Sequence, residues 1–304
     1  MNRIICVRVP ATIEGSAESV NIAGDDKERS GSMSVILRIA CSLLLAAWLA
    51  AGLAGSAVAD DVLRFVQIAD THLGDRDHMD RTRRLVAEIN RLPVAVDFVV
   101  HTGDIFAGGV PEGETRERLA DAFRALKAPI HFLPGNHDIP AADPGRGAAV
   151  YRREVGPLVH RAVYRGVAVV FAYTEPLAQG YTVEGYDPDA EIESAFAGAG
   201  AGPVVFFHHR PAGEDLYDGV VHPGWDPDGR RRLERILGRH PVTAVVTGHF
   251  HRDELHWLGD IPVFVGPPVA ASWGRQASFR LYEFREGRLG YRSVYLSADS
   301  PTPP

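Results

Sequence analysis

Five short clusters in the 304-residue chain carry side chains that can hold a metal or move a proton: Asp70-x-His72, Gly103-Asp104, Gly135-Asn136-His137-Asp138, His208-His209 and His249-x-His251. Together they offer carboxylates, one amide oxygen and imidazoles, and no sulfur. Oxygen and nitrogen donors of this kind suit Mn, Fe, Zn, Ni or Co rather than Cu(I) or a structural zinc knot. Asp-x-His and His-x-His are spaced to act in pairs, because residues two apart on an extended segment point the same way. The glycines before Asp104, Asn136 and His249 permit tight turns and close backbone approach. Taken singly, each cluster has a plainer reading. Asp70 can cap a helix, Asn136 and Asp138 can be turn residues, and His208 can be a hydrogen-bonded core histidine.

The clusters share a position in the chain. Each follows an apolar run, rich in β-branched or aromatic residues, that reads as a buried strand: residues 62–69, 98–101, 130–133, 204–207 and 244–246. Helical patterns alternate with them. Leu85, Val86, Ile89 and Leu92 share one face up to Pro93, and Leu119, Ala122, Phe123 and Leu126 share another. Further helices are expected near 151–155, 192–196 and 233–237, and a further strand over 167–173. Residues 175–203 are otherwise loop-rich, and 211–225 read as a polar loop. Beyond His251 the pattern turns antiparallel, with 254–258 against 261–265 and 279–284 against 291–296. Successive β–α units imply an α/β class protein with a mixed or parallel sheet covered by helices. The carboxyl ends of such strands are where sites form.

Residues 34–59 run from Arg38 through an uncharged Leu/Ala-rich stretch to Ala57-Val58-Ala59, the form of a secretory signal peptide cut after Ala59. Residues 39–59 are also about long enough to span a bilayer, so an N-terminal membrane anchor is the alternative. Residues 1–32 are polar and aperiodic, which puts the expected start of translation at Met33. Both cysteines, Cys6 and Cys41, lie in this removable part. A mature chain from Asp60 then has no thiol, which is compatible with a periplasmic or secreted protein without stable membrane insertion. No linker divides residues 60–304, so one domain is expected there. A hydrophobic content of 45% and charged content of 23% are those of a globular protein. The net charge of −7, with no block of clustered Lys/Arg, argues against a nucleic-acid polymer as partner.

In order and form the five clusters resemble the calcineurin-like metallophosphoesterase superfamily, over residues 70–251. The resemblance implies a four-layer αββα sandwich of two mixed β-sheets with a binuclear metal centre at the strand ends. Carried over residue by residue, it implies Asp70, His72 and His251 on one divalent transition-metal ion, Asn136, His208 and His249 on a second, and Asp104 between them. His137 would stand beside the phosphate as a catalytic residue without holding metal, and Asp138 would orient it. His209 and Arg210 are candidates for substrate contact. His222, Trp225 and Trp273 lie in loops that can rim a pocket, whereas His101 and His131, inside apolar strands, read as core histidines.

The implied reaction is hydrolysis of a small phosphate ester, diester or monoester, by a hydroxide held between two ions. A nucleotidase or a phospholipid-headgroup hydrolase is the alternative within enzymes. Ala107 stands where iron-tyrosinate acid phosphatases of the superfamily have tyrosine. Gly108-Gly109 and Asp138 replace the arginine and glutamate of protein phosphatases. His208-His209-x-Pro211 looks more like bacterial cyclic-nucleotide and glycerophosphodiester phosphodiesterases. A non-catalytic binding module on the same fold is the alternative of another class, but such members generally lose ligands and all seven are present here.

Overall fold

The structure, a computed structural model, describes residues 62–297 except 75–76, 218–219, 223 and 271–275. The expected leader, Met33, both cysteines, Trp273 and the side chain of His222 lie outside the described residues.

Thirteen strands and six helices are described along the chain. β1 (Leu63–Ile68), α1 (His78–Ile89), β2 (Phe98–His101), α2 (Thr115–Phe123), β3 (Ile130–Phe132) and α3 (Pro144–Glu154) form the first half. β4 (Val159–Tyr164), β5 (Val167–Ala172), α4 (Glu175–Gln179), α5 (Pro188–Ala197) and β6 (Val204–Phe207) follow. A small hairpin, β7 (Asp215–Tyr217) with β8 (Val220–His222), leads to α6 (Pro227–Leu237) and β9 (Val242–Thr247). β10 (Glu254–Leu258), β11 (Ile261–Val265), β12 (Ser278–Arg285) and β13 (Arg288–Tyr295) complete the chain. Two mixed sheets result, one in the order β13-β12-β1-β2-β3 and the other β10-β11-β9-β6-β5-β4.

Side-chain alternation builds the layers. Leu63 and Phe65 of β1 enter the core between the sheets, while Val66 and Ile68 face the helices. Val167, Val169 and Phe171 of β5 also turn inward, and Ala168, Val170 and Ala172 outward. Between the sheets Phe65 stacks on Phe98 at 5.0 Å and on Tyr282 at 4.7 Å, with Phe207 edge-on at 5.4 Å. Leu85, Val86 and Ile89 of α1 cover the outer face of the first sheet. Ile192, Phe196, Leu233 and Ile236 of α5 and α6 cover the second. Each such buried side chain contributes about 1.5–3 kcal/mol. The result is the expected four-layer αββα sandwich.

Local chemistry explains several boundaries. α3, α5 and α6 all begin with Asp-Pro. The carboxylates of Asp143, Asp187 and Asp226 accept from the N–H groups of Arg146, Ala190 and Gly229. Proline then occupies a first-turn position where no N–H is needed. α1 stops at Ile89 and α2 at Phe123, so Leu92 and Leu126 reach the core from the turns that follow. β4, α4 and the β7–β8 hairpin are not legible as elements in the sequence. β4 is a half-exposed edge strand, and α4 has only five residues. Among the described residues no helix is long and apolar enough to cross a membrane.

Candidate metal centre

β1, β2 and β3 run parallel, as do β5, β6 and β9. Their carboxyl ends therefore carry the five clusters to one edge of the sandwich. The backbone there is unusual. Asp70, His72, Asp104, His249 and His251 have φ of +54°, +44°, +54°, +71° and +53°. They are five of the seven non-glycine residues with left-handed backbone among the described residues. The other two, Arg165 and Glu286, precede glycines in hairpin turns. Such residues cost about 1–3 kcal/mol each and persist where surrounding bonds over-determine them. Those bonds are present: the N–H groups of Asp70, His72 and Leu73 donate to the carbonyls of Gly103, Asp104 and Ile105 at 3.1, 3.1 and 2.7 Å. Asp70 and His72 thus converge through left-handed turns, not through the extended alternation expected from Asp-x-His. His249 and His251 do the same.

Two donor sets adjoin. In the first, His251 Nε2 is 3.2 Å from Asp70 Oδ1 and 3.3 Å from His72 Nε2. In the second, His209 Nε2 is 3.2 Å from Asp104 Oδ2, Asn136 Oδ1 and His249 Nδ1 alike. Asp104 stands between the sets, its Oδ2 also 3.8 Å from His72 Nε2. Backbone donors hold the carboxylates: Asp104 Oδ1 accepts from His137 N–H at 2.8 Å and Asp70 Oδ2 from His249 N–H at 3.1 Å.

The residues fit metal ions. Donors about 2.0–2.2 Å from one ion lie about 3 Å from each other, which matches these spacings. Charge points the same way. Burial disfavours ionised Asp104, yet His209 and neighbouring imidazoles hold its carboxyl well below the usual carboxylate range. Burial likewise opposes a charged His209, but Asp104 pushes it up to about 10. Burial is again outweighed at His251, which Asp70 raises. Two buried carboxylates thus draw protons onto their imidazoles, a role divalent cations take over when they bind.

The structure exchanges the two adjacent histidines. His209, not His208, joins the cluster. Its Nδ1 lies 2.7 Å from the Thr102 carbonyl, which aims Nε2 at the centre. Gly103 makes room for the ring, since a Cβ there would lie 2.6 Å from His209 Nδ1. His208 instead follows Phe206 toward the helices, fully buried, with Nδ1 3.2 Å from Thr174 Oγ1 and Trp225 edge-on at 5.6 Å. Burial pushes it down to about 3.

Asp138 also differs from expectation. Its oxygens accept from the backbone N–H groups of Ile105, Phe106 and Gly135 at 3.1, 2.9 and 2.9 Å, so it ties two site loops together. His137 is exposed and takes its orientation from the Ala107 carbonyl, 2.9 Å from Nδ1. Arg210 pairs through Nε with Glu175 Oε2 at 2.9 Å. Trp225 is buried rather than on a rim, and its indole N–H donates to the Arg210 carbonyl at 3.0 Å. His101 is buried with Nε2 2.9 Å from Thr71 Oγ1, and His131 is only half-buried, at a sheet edge. Sequence reasoning missed Glu175 and His78. Glu175 has no periodic or spacing signal, while His78 Nδ1 lies 3.1 Å from the His72 carbonyl.

An αββα sandwich with two adjoining O/N donor sets at one edge of both sheets defines a metallophosphoesterase. The chain belongs to the calcineurin-like phosphoesterase family, whose profile matches residues 63–253. It is 30% identical over 202 residues to a probable cyclic nucleotide phosphodiesterase of Rhodopseudomonas palustris, covering 62% of this chain and 72% of that protein. A cAMP/cGMP dual specificity phosphodiesterase of Mycobacterium tuberculosis is 26% identical over 254 residues, with 77% and 76% covered. A solved dimetal phosphatase from Danio rerio shares the fold with a TM-score of 0.55 at 13% identity, covering 77% of this chain and 99% of that one.

Proposed function

We propose that residues 60–304 hydrolyse a small phosphodiester with two divalent transition-metal ions of the Mn, Fe, Zn, Ni or Co group. The observation that carries this is the pair of donor sets meeting at Asp104. Asp70, His72 and His251 would hold one ion, Asn136, His209 and His249 the other, and Asp104 both. Bound ions would neutralise phosphoryl oxygens and lower the pKa of a water for attack.

The chain's own residues do the rest. The Ala107 carbonyl fixes His137 by Nδ1, so its other nitrogen faces the open side beside His72, whose ring lies 4.8 Å away edge-on. From there it can pass a proton to the leaving alkoxide. Asp138 keeps the loops at Asp104 and Gly135 in register, and so holds His137 through the backbone. Ester preference is supported by the relatives, both named phosphodiesterases.

The test is a panel of mono- and diesters, including bis-p-nitrophenyl phosphate and cyclic nucleotides, on Mn²⁺-reconstituted protein. Diester turnover, about two ions per chain and no turnover in Asp104→Asn are expected. Protein that takes up no metal, or that hydrolyses no ester when loaded, would overturn the reading. A periplasmic or secreted location rests on the leader-like residues 34–59, and exported protein beginning at Asp60 is the expected N-terminal sequence.

A further inference from the structure

We propose that Arg210, held from behind by Glu175, recognises the anionic oxygens of the phosphoryl group at the half of the centre formed by His209 and His249. The proposal rests on the phosphoesterase reading of that centre and names the residue that gives it anion selectivity. In the His208-His209-x-Pro211 form Arg210 takes the unspecified position, so the family resemblance does not dictate it.

Glu175 opens α4 directly after β5 and is fully buried. Its Oε2 accepts from Arg210 Nε at 2.9 Å and from Gln179 Nε2 at 2.6 Å. Arg210 is its only cationic partner among the described residues. A buried ion pair is weak evidence for stability, since an apolar pair of similar volume often does as well or better. The pair's use is therefore geometric.

The bond engages Nε and leaves both terminal nitrogens of the guanidinium without a protein acceptor among the described residues. The side chain is 19% exposed, so these donors reach solvent. The backbone is fixed as well, by the Trp225 indole on the Arg210 carbonyl and by Pro211 next in the chain. Arg210 also stands beside the centre: it directly follows His209, whose Nε2 lies 3.2 Å from Asp104 Oδ2, Asn136 Oδ1 and His249 Nδ1. A planar, pre-aimed pair of N–H donors beside a metal-ligating imidazole is suited to two oxygens of a phosphoryl group. Glu175 acts through Arg210 as a positioning residue.

The test uses full-length Mn²⁺-loaded protein, with inorganic phosphate as the probe, alongside kcat and KM for bis-p-nitrophenyl phosphate. Arg210→Met should weaken phosphate binding about 10- to 100-fold, the range of charge-assisted hydrogen bonds, and raise KM more than it lowers kcat. Metal content should not change. Arg210→Lys should recover only part of the loss, because one ammonium cannot both pair with Glu175 and present a fork. Glu175→Gln should weaken phosphate binding less than Arg210→Met. Removing Arg210 alone leaves a buried carboxylate unpaired, so the double variant Arg210→Met/Glu175→Leu serves if the single one fails to fold; it should be stable and still bind phosphate poorly.

Wild-type phosphate affinity in either Arg210→Met or the double variant would overturn the proposal. So would wild-type protein that binds Mn²⁺ but no phosphate. Wild-type protein that binds Mn²⁺ and phosphate yet hydrolyses no diester would sink the diesterase reading alone and leave the Arg210 measurement intact.

Discussion

Gly135 matters to the centre as much as the side chains around it. A Cβ on Gly135 would lie 2.2 Å from Asp104 Oδ1 and 2.5 Å from Asp104 N, so turning the carboxylate aside would still leave the backbone clash. Gly135→Ala should therefore displace Asp104 and weaken metal binding about 10- to 100-fold or more, as loss of other ligand-orienting groups does. Gly108, with nothing within 4 Å, is the control. Gly108→Ala should stay within about 0.5 kcal/mol of the parent in stability. Metal titration and urea denaturation of both variants read the difference. The histidine pair makes a second contrast. His209→Ala should leave about one ion per chain and no diester turnover, because its Nε2 meets three other donors. His208→Ala should keep both ions and lose about 1–3 kcal/mol of stability, because its ring is packed against Phe206 and Trp225. Elemental analysis giving the reverse pattern would undo the exchange of roles.

Between elements, a close backbone contact joins α6 to α4. Gly229 in the first turn of α6 packs on the backbone of α4 so closely that a Cβ would lie 1.8 Å from the Leu177 carbonyl oxygen. The same turn is capped by Asp226, whose carboxylate accepts the Gly229 N–H at 2.9 Å. Asp226→Ala should cost about 1 kcal/mol, the loss of a cap. Gly229→Ala should cost more, about 1–3 kcal/mol from overpacking, and should raise KM as well, because α4 carries Glu175. Equal costs in urea denaturation would mean the helices part without penalty.

At the scale of the molecule, the two sheets are locked together at both the site and an edge. Near the site, Gln67 Nε2 donates to Thr102 Oγ1 at 2.9 Å in one sheet and to the Thr247 carbonyl at 2.6 Å in the other, and Tyr282 O–H donates to its Oε1 at 3.0 Å. At the edge, β3 and β4 meet through His131, which is 3.3 Å from His160 Nε2 and 2.8 Å from the Tyr164 hydroxyl. Both rings stack on Phe171. Burial, and to a lesser degree His131, push His160 down to about 4, and burial lowers His131. An unfolded chain protonates such rings near 6.5, whereas folded His160 waits until about 4. Their stabilising effect is therefore complete above pH 6.5 and is lost as pH falls toward 4. For His160 the loss is on the order of 3 kcal/mol. His160→Phe should flatten the pH dependence of the urea midpoint in that window, and an unchanged slope would show that the edge does not titrate.

The strands that bear the site were legible because each is a mostly apolar run, some only three or four residues long, ending in a polar cluster, and such a pattern is a local property of the chain. The αββα class, the edge at which the site forms and the identity of most donors follow from that pattern and from the family resemblance. The choice between His208 and His209 was not legible. All four residues of β6 are fully buried, so the alternation that would have told inward from outward faces is silent. Nor does sequence show that β12 returns across the molecule to lie antiparallel to β1, with Leu63 opposite Phe284. That pairing depends on burial summed over segments distant in the chain. The left-handed backbone at Asp70, His72, Asp104, His249 and His251 belongs to the tertiary structure for the same reason. Asp and His enter that conformation more readily than most residues, but still at a cost, and it holds here because hydrogen bonds from neighbouring segments outweigh that cost.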